Sequence, residues 1–270
     1  MSDRHRRFVD QYGQWAVVAG ASEGLGAAFA TELARRGLGL VLVARRAAPL
    51  ETLAEQLRVQ HRVDVVTHAA DLGDADAVDR LVAVCGERQV GLVVANAATV
   101  PIGPFAAADP AQLAHAVAVN CAGTLRLARA FLPPMAGRGR GGMVVMASMA
   151  GLQGSPMLST YAATKAFDLV LAEGLWHEFA HHGVHVVGCA AGAIDADKLG
   201  ATKQRRAPGT LRPEAVVRDS LASLGRGPRV IPGALNRAAA VLMTRLLPRR
   251  TAVRVMARNT TDLRSPGGPG

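Results

Sequence analysis

Short, largely apolar runs recur along this chain about every 25 residues: Trp15–Ala19, Gly39–Ala44, Val63–Ala69, Gly91–Ala95, Met143–Ala147 and Val184–Gly188. Between them lie stretches with helical spacing. Leu25 to Arg36 puts Leu25, Phe29 and Leu33 on one face, and Pro49–Gln60, Asp74–Glu87, Pro110–Ala136 and a helix from Tyr161 to about His182 follow. A last short strand is predicted at Arg229–Ile231. Strands too apolar to leave one face in water must be covered on both, so this alternation predicts a parallel sheet between two helical layers. Right-handed crossovers bring the loop after every strand to one edge of that sheet. The expected fold class is α/β, a single doubly wound parallel sheet of about seven strands. Half of the 270 residues are hydrophobic, enough for one large core without division. The expected organisation is residues 1–233 as the sheet domain, 234–264 as a basic amphipathic helical extension and 265–270 (SPGGPG) as a disordered tail.

The first run breaks directly into GASEGLG, Gly20 to Gly26, before a helix. Strand, glycine turn and helix aim free backbone N–H groups and the positive end of a helix dipole at a phosphate, the signature of a Rossmann-type dinucleotide site. The second run ends in Arg45-Arg46. An acidic residue here binds ribose hydroxyls in dinucleotide folds, whereas arginine suits a 2′-phosphate, so NADP(H) is preferred, with NAD(H) the alternative.

The fifth run ends at Ser148, and Tyr161 and Lys165 follow four residues apart on one predicted helix face. A lysine held beside a phenol favours its phenolate form, which makes tyrosine a general acid/base near neutral pH. The crossover rule brings Ser148, Tyr161, Asn96 and Gly20 to one crevice.

Taken in order, these residues resemble the short-chain dehydrogenase/reductase family from Gln14 to about Gly233, as a divergent subgroup. The matching motifs are the glycine turn (Gly20, Gly24, Gly26), Asp71-Leu72, Asn96, Asn120, Ser148 and the Tyr161/Lys165 pair. The resemblance implies hydride transfer between nicotinamide and a carbonyl or alcohol carbon. Tyr161 would exchange a proton with the substrate oxygen, Ser148 would hydrogen-bond that oxygen, and Lys165 would hold the nicotinamide ribose. Asn120 would anchor a water linking Lys165 to solvent. It also implies that the cofactor is bound by Gly20, Ser22, Glu23, Gly24, Leu25, Gly26, Arg45, Arg46, Asp71, Leu72, Asn96, Ala97, Ala98, Tyr161, Lys165, Ala191, Gly192 and Ile194. Four positions depart from the family pattern: Ala19, Ala98, Ala191 and Ala196 replace the usual threonine, glycine, proline and threonine. A lost hydroxyl contact costs on the order of 1 kcal/mol, and the altered Ala191 and Ala196 motivate a second reading: a cofactor-binding regulatory or membrane-associated protein with weak or no catalysis.

The interval after Ser148 supplies Leu152, Gln153, Met157 and Leu158 as candidate substrate contacts, which implies an apolar carbonyl or alcohol substrate. Family members also imply a homo-oligomer, a dimer or tetramer. Residues 195–213 carry Lys198, Lys203, Arg205 and Arg206 and are expected to form a mobile lid. The formal charge is +10, but residues 1–7 hold +2 and residues 229–270 hold +7, so the body of the chain carries only +1. With only ten aromatic residues and no reader motif, nucleic-acid binding is not expected. Past Pro232, Arg237, Arg245 and Arg249 alternate with Leu235, Leu242 and Leu246, a pattern fit for packing on the domain, a neighbouring subunit or an anionic membrane surface. Cys85, Cys121 and Cys189 read as buried thiols of a cytoplasmic protein, and the charged start of the chain lacks a signal-peptide core. His177, His181, His182 and His185 cluster without a carboxylate or thiol to complete a metal site, so no metal is expected.

Overall fold

The computed structural model describes residues 3–195 and 208–260. Seven strands form one sheet: β1 (Trp15–Ala19), β2 (Gly39–Ala44), β3 (Val65–Ala69), β4 (Val90–Ala95), β5 (Gly141–Ser148), β6 (Val184–Ala191) and β7 (Arg229–Val230). Their order is β3-β2-β1-β4-β5-β6-β7, and every neighbouring pair is parallel. The chain reverses its direction of winding between β1 and β4, which opens the crevice that such sheets use for ligands.

Side chains alternate between two cores. Ala16, Val18, Leu40, Leu42, Leu92, Val94 and Val144 pack with Phe29 and Leu33 of α2 (Gly24–Arg35), Leu50 and Leu57 of α3 (Ala47–His61) and Val216 and Leu221 of a later helix, 213–223. On the other face Val17, Val41, Val43, Val93, Met143 and Val145 meet Leu81 of α4 (Ala77–Cys85) and helices 124–137 and 159–180. Fully apolar strands are thus covered on both sides, which is why the alternation was readable.

Three features differ from expectation. An N-terminal helix, α1 (Asp3–Tyr12), precedes the sheet. Its Phe8 and Tyr12 are buried, and the Tyr12 hydroxyl lies 2.9 Å from His185 Nδ1 on β6. The single helix expected over 110–136 is α5 (Pro110–Val117) and α6 (Thr124–Gly137) joined by a π-helical turn, Ala118–Gly123. That wide turn carries Asn120, and π turns recur where a helix must re-aim a side chain. Strands β5 and β6 also extend further than the apolar runs, so Ser148 lies inside β5 and faces Ala191 in register.

The remaining helices are α7 (Ser159–Ala180), α8 (Pro213–Ser223), α9 (Ala234–Val241), continued by a π turn at Leu242–Leu246, and α10 (Arg249–Thr260). Helix α10 lies over the loop after β5. Arg249 Nη1 donates to Leu152 O at 2.8 Å, and a methyl group at Gly154 would sit 3.6 Å from Val253 Cγ2. Ala196, the basic residues Lys198 to Arg206 and the expected tail 265–270 fall outside the described residues. The flanks of 196–207 are tied: Ile194 bridges Leu211, and the Asn236 amide donates to Gly209 O and Pro232 O, each at 3.0 Å. None of the described helices is long and apolar enough to cross a membrane.

Candidate active site

The nucleotide half of the crevice is built from backbone. Gly20 has φ +78°, a left-handed conformation that a side chain strains, and a Cβ at Gly26 would lie 1.9 Å from Gly20 O. Only glycine at both positions lets α2 start this close to β1. The turn is fastened to both neighbouring strands: Gly20 N donates to Val43 O at 2.8 Å, and Asn96 Nδ2 donates to Gly20 O at 3.0 Å. No side chain caps α2 at Glu23, whose carboxylate is 3.1 Å from Arg46 Nη2. The first N–H groups of α2 and its dipole therefore face the turn.

Gly20, Ser22, Glu23, Arg45, Arg46, Asp71, Leu72, Asn96, Ala97 and Ala98 line one cavity of about 220 Å³. Val43, Ala44, Ala70, Thr99 and Val119 complete it, mostly apolar wall residues with no mark in the sequence beyond their neighbourhood. Asp71 is held by Gly73 N, which donates to Oδ1 at 2.8 Å, and by His115 Nε2, 3.5 Å from Oδ2. Gly24 and Leu25 open α2, while Ala191, Gly192 and Ile194 lie at the end of β6, where Gly192 packs against the Asn236 side chain. A larger cleft, about 790 Å³, opens between α1 and residues 87–91 at the opposite edge, and no sequence-predicted site residue lines it.

The catalytic half is built from side chains. Ser148 ends β5, and its Oγ accepts from Ala150 N at 3.2 Å, which leaves its own O–H proton to donate elsewhere. The following turn, Met149–Leu152, is pressed onto α7 so closely that a Cβ at Gly151 would lie 2.6 Å from Lys165 C. This contact registers the strand end against the turn of helix bearing Tyr161 and Lys165. Tyr161 is half-buried, and its ring centroid is 5.9 Å from Lys165 Nζ. A buried polar chain steadies that turn: Thr164 Oγ1 donates to Tyr161 O at 2.8 Å and accepts from Asn120 Nδ2 at 2.9 Å. The Asn120 amide also exchanges two bonds with Thr99, donating to its O at 2.9 Å and accepting from its N at 2.8 Å. Asn120 thus clamps α7 to the loop after β4, with both amide protons committed to protein.

Lys165 is turned inward. Its Nζ donates to Met146 O at 2.7 Å and to Asp168 Oδ2 at 2.9 Å. Asp168 was missed in the sequence, although its i,i+3 spacing from Lys165 is a readable signal. Burial pushes the Asp168 carboxyl up, against the pull of Lys165. Nearby Cys121, half-buried rather than buried, has its thiol pushed up to about 11, chiefly by burial.

Of the candidate substrate residues, Met157 (φ +66°) lines a cleft of about 280 Å³ with Pro101–Phe105 and Leu113. Leu158 is half-buried at the start of α7. Leu152 packs inward toward Ala147, Leu169 and Ala190, and Gln153 is buried with Nε2 donating to Met149 O at 3.3 Å. Among the described residues no group of three or more His, Cys, Asp or Glu could hold a metal ion.

The family model described as short chain dehydrogenase matches residues 14–207. The chain belongs to that family. The very-long-chain 3-oxoacyl-CoA reductase of Aspergillus fumigatus is 37% identical over 221 residues, which cover 79% of this chain and 63% of the fungal protein. The chain thus spans less than two thirds of that relative. A solved 7beta-hydroxysteroid dehydrogenase superposes with a TM-score of 0.87 at 26% identity, covering 92% of this chain and 98% of its own. A short-chain dehydrogenase from Sphingobium yanoikuyae in complex with NADPH superposes with a TM-score of 0.74 at 27% identity, covering 95% and 98%. The short-chain dehydrogenase assignment accounts for the shared edge on which the glycine turn, Asn96, Ser148 and Tyr161 all lie.

Proposed function

We propose that this chain is an NADP(H)-dependent oxidoreductase that interconverts a carbonyl and an alcohol on an apolar substrate. The observation that carries the reading is the placement of Ser148, Tyr161 and Lys165 around the end of β5, beside a phosphate-ready glycine turn flanked by two arginines. The cradle fits the nucleotide end of such a cofactor, since the glycine turn, both arginines, Asp71 and Asn96 line one open cavity of about 220 Å³. Arg45 and Arg46 would take the 2′-phosphate. The Arg46–Glu23 pair is more than half exposed, so breaking it costs about 1 kcal/mol or less. When bound, NADP(H) supplies or accepts the hydride.

The rest falls to the chain. The Ser148 hydroxyl donates to the substrate oxygen and holds it near the phenol, and Tyr161 gives that oxygen a proton or removes one. Met157 and the 101–105 loop offer an apolar wall for the substrate. The reading is tested by NADPH consumption with a panel of apolar ketones, run in parallel with NADH. Turnover with NADPH preferred supports it. Tight NADPH binding with no turnover on any ketone favours the second reading, a cofactor-binding protein with weak catalysis, which the inward-turned Lys165 and committed Asn120 amide motivate.

The assembly we propose is a homo-oligomer, dimer or tetramer, which light scattering measures. The C-terminal helices present Leu235, Leu242 and Leu246 to solvent beside Arg237 and Arg245, a face suited to peripheral contact with an anionic membrane. Co-sedimentation of the full chain with anionic liposomes, compared with a Leu242→Ser/Leu246→Ser variant, tests it. Equal recovery removes the membrane contact.

A further inference from the structure

Lys165 and Asp168 are 3% and 1% exposed, and their charges meet at 2.9 Å in the core behind Tyr161. An ammonium has three N–H donors. One goes to Met146 O on β5 and one to Asp168 Oδ2 on α7, so two fixed acceptors on different elements set the direction of the third. The other carboxylate oxygen, Asp168 Oδ1, is buried beside the Thr124 hydroxyl, whose proton goes to Asn120 O, and so lacks a full hydrogen bond of its own among the described residues. Burying a carboxylate with one unsatisfied oxygen is costly, and its neighbours Leu169 and Ala172 on α7 are plain core. We propose that Asp168 is a positioning residue for the reaction: its carboxylate is the counter-ion that keeps the Lys165 ammonium charged in the core and aims its remaining N–H toward the crevice. The inference rests on the roles proposed above for Tyr161 and Lys165.

The groups facing the pair are few. On α7, Tyr161 is the titratable neighbour. The π turn contributes Cys121, whose raised thiol stays neutral through the working range. From α6 comes the Thr124 hydroxyl, already donated to Asn120 O at 2.8 Å, while β5 offers the Met146 carbonyl and β6 the apolar Ala190. Coulomb interaction falls with distance, so removing the carboxylate acts far more strongly on Lys165 at 2.9 Å than on Tyr161 beyond it. An unpaired buried ammonium sheds its proton at lower pH, and a neutral lysine no longer supports the phenolate.

The test compares the full chain with Asp168→Asn and Asp168→Glu, reading kcat and KM against pH, the NADPH Kd by fluorescence titration, and a thermal melt. Asp168→Asn is expected to lower kcat about tenfold or more with KM little changed, to move the alkaline limb of the pH profile down by about one unit or more, and to weaken NADPH several-fold. Asp168→Glu is expected to restore the profile in part. A folded Asp168→Asn protein with wild-type kcat, pH profile and NADPH Kd overturns the proposal. If the wild type reduces no carbonyl, the oxidoreductase reading fails by itself, and the NADPH titration alone decides for or against Asp168. Should Asp168→Asn not fold, a crystal structure of the wild type decides: Lys165 Nζ farther than about 4 Å from Asp168 overturns the proposal, and the ion pair in place supports it.

Discussion

The two halves of the crevice solve the same problem with different materials. The nucleotide half is held by main chain: Gly20 against Ala97, Gly26 against Gly20 O, and Asn96 tying the turn to β4. Its tolerance is measured in tenths of an ångström. The catalytic half is held by side chains that satisfy one another inside the core, Asn120 with Thr99 and Thr164, and Lys165 with Asp168. There a substitution leaves shape intact and changes charge or a proton. The comparison teaches that changes in the first half should act on binding and those in the second on turnover.

The strongest challenge to that division is Tyr161→Phe. It removes the proton donor and nothing else, so kcat should fall by about a thousandfold while the NADPH Kd, read by fluorescence, stays within about twofold. Substantial turnover in this variant would end the proposed mechanism. Next comes Gly26→Ala. A methyl 1.9 Å from Gly20 O forces the turn apart, and NADPH affinity should drop by about a hundredfold, with a lower melting temperature. Unchanged affinity would mean that the turn does not cradle the cofactor. Smaller is Arg46→Ala, expected to cut the preference for NADPH over NADH by about tenfold and to leave kcat alone, as kinetics with both cofactors would reveal.

The smallest effect lies away from both halves, at the seam between α1 and β6. Burial lowers the pKa of His185, which sits against the Tyr12 hydroxyl. The folded state therefore binds fewer protons there than the unfolded chain, whose histidine titrates near about 6.5. The resulting stability is present above that pH and is lost as pH falls through the lowered folded value. The melting temperature should decline by a few degrees on acidification, less so in His185→Gln, with activity per folded molecule unaffected. A flat melting profile in the wild type would remove His185 as an acid-sensitive contact.

Much of this was legible in the sequence because the sheet is made of runs that no solvent-facing strand would have. The glycine turn and the Tyr161/Lys165 spacing were readable for a similar reason, since few backbones or reactions demand them. Helix α1 escaped because half of DRHRRFVDQY is charged, and its apolar anchors among the described residues are just Phe8, Val9 and Tyr12. The π turn around Asn120 leaves no compositional trace, because a widened turn is set by what the helix packs on. Asp168 was visible but reads as an ordinary helical charge until burial reveals that it has no water to face.

The tie between Arg249 and Leu152 joins positions 97 residues apart in sequence. With Val253 close over Gly154, it seats helix α10 on the loop after Ser148. Anyone retargeting this scaffold by loop grafting inherits that linkage: a foreign 149–158 segment arrives without its matching helix, and a foreign C-terminus arrives without its loop. Paired transplants keep the seam.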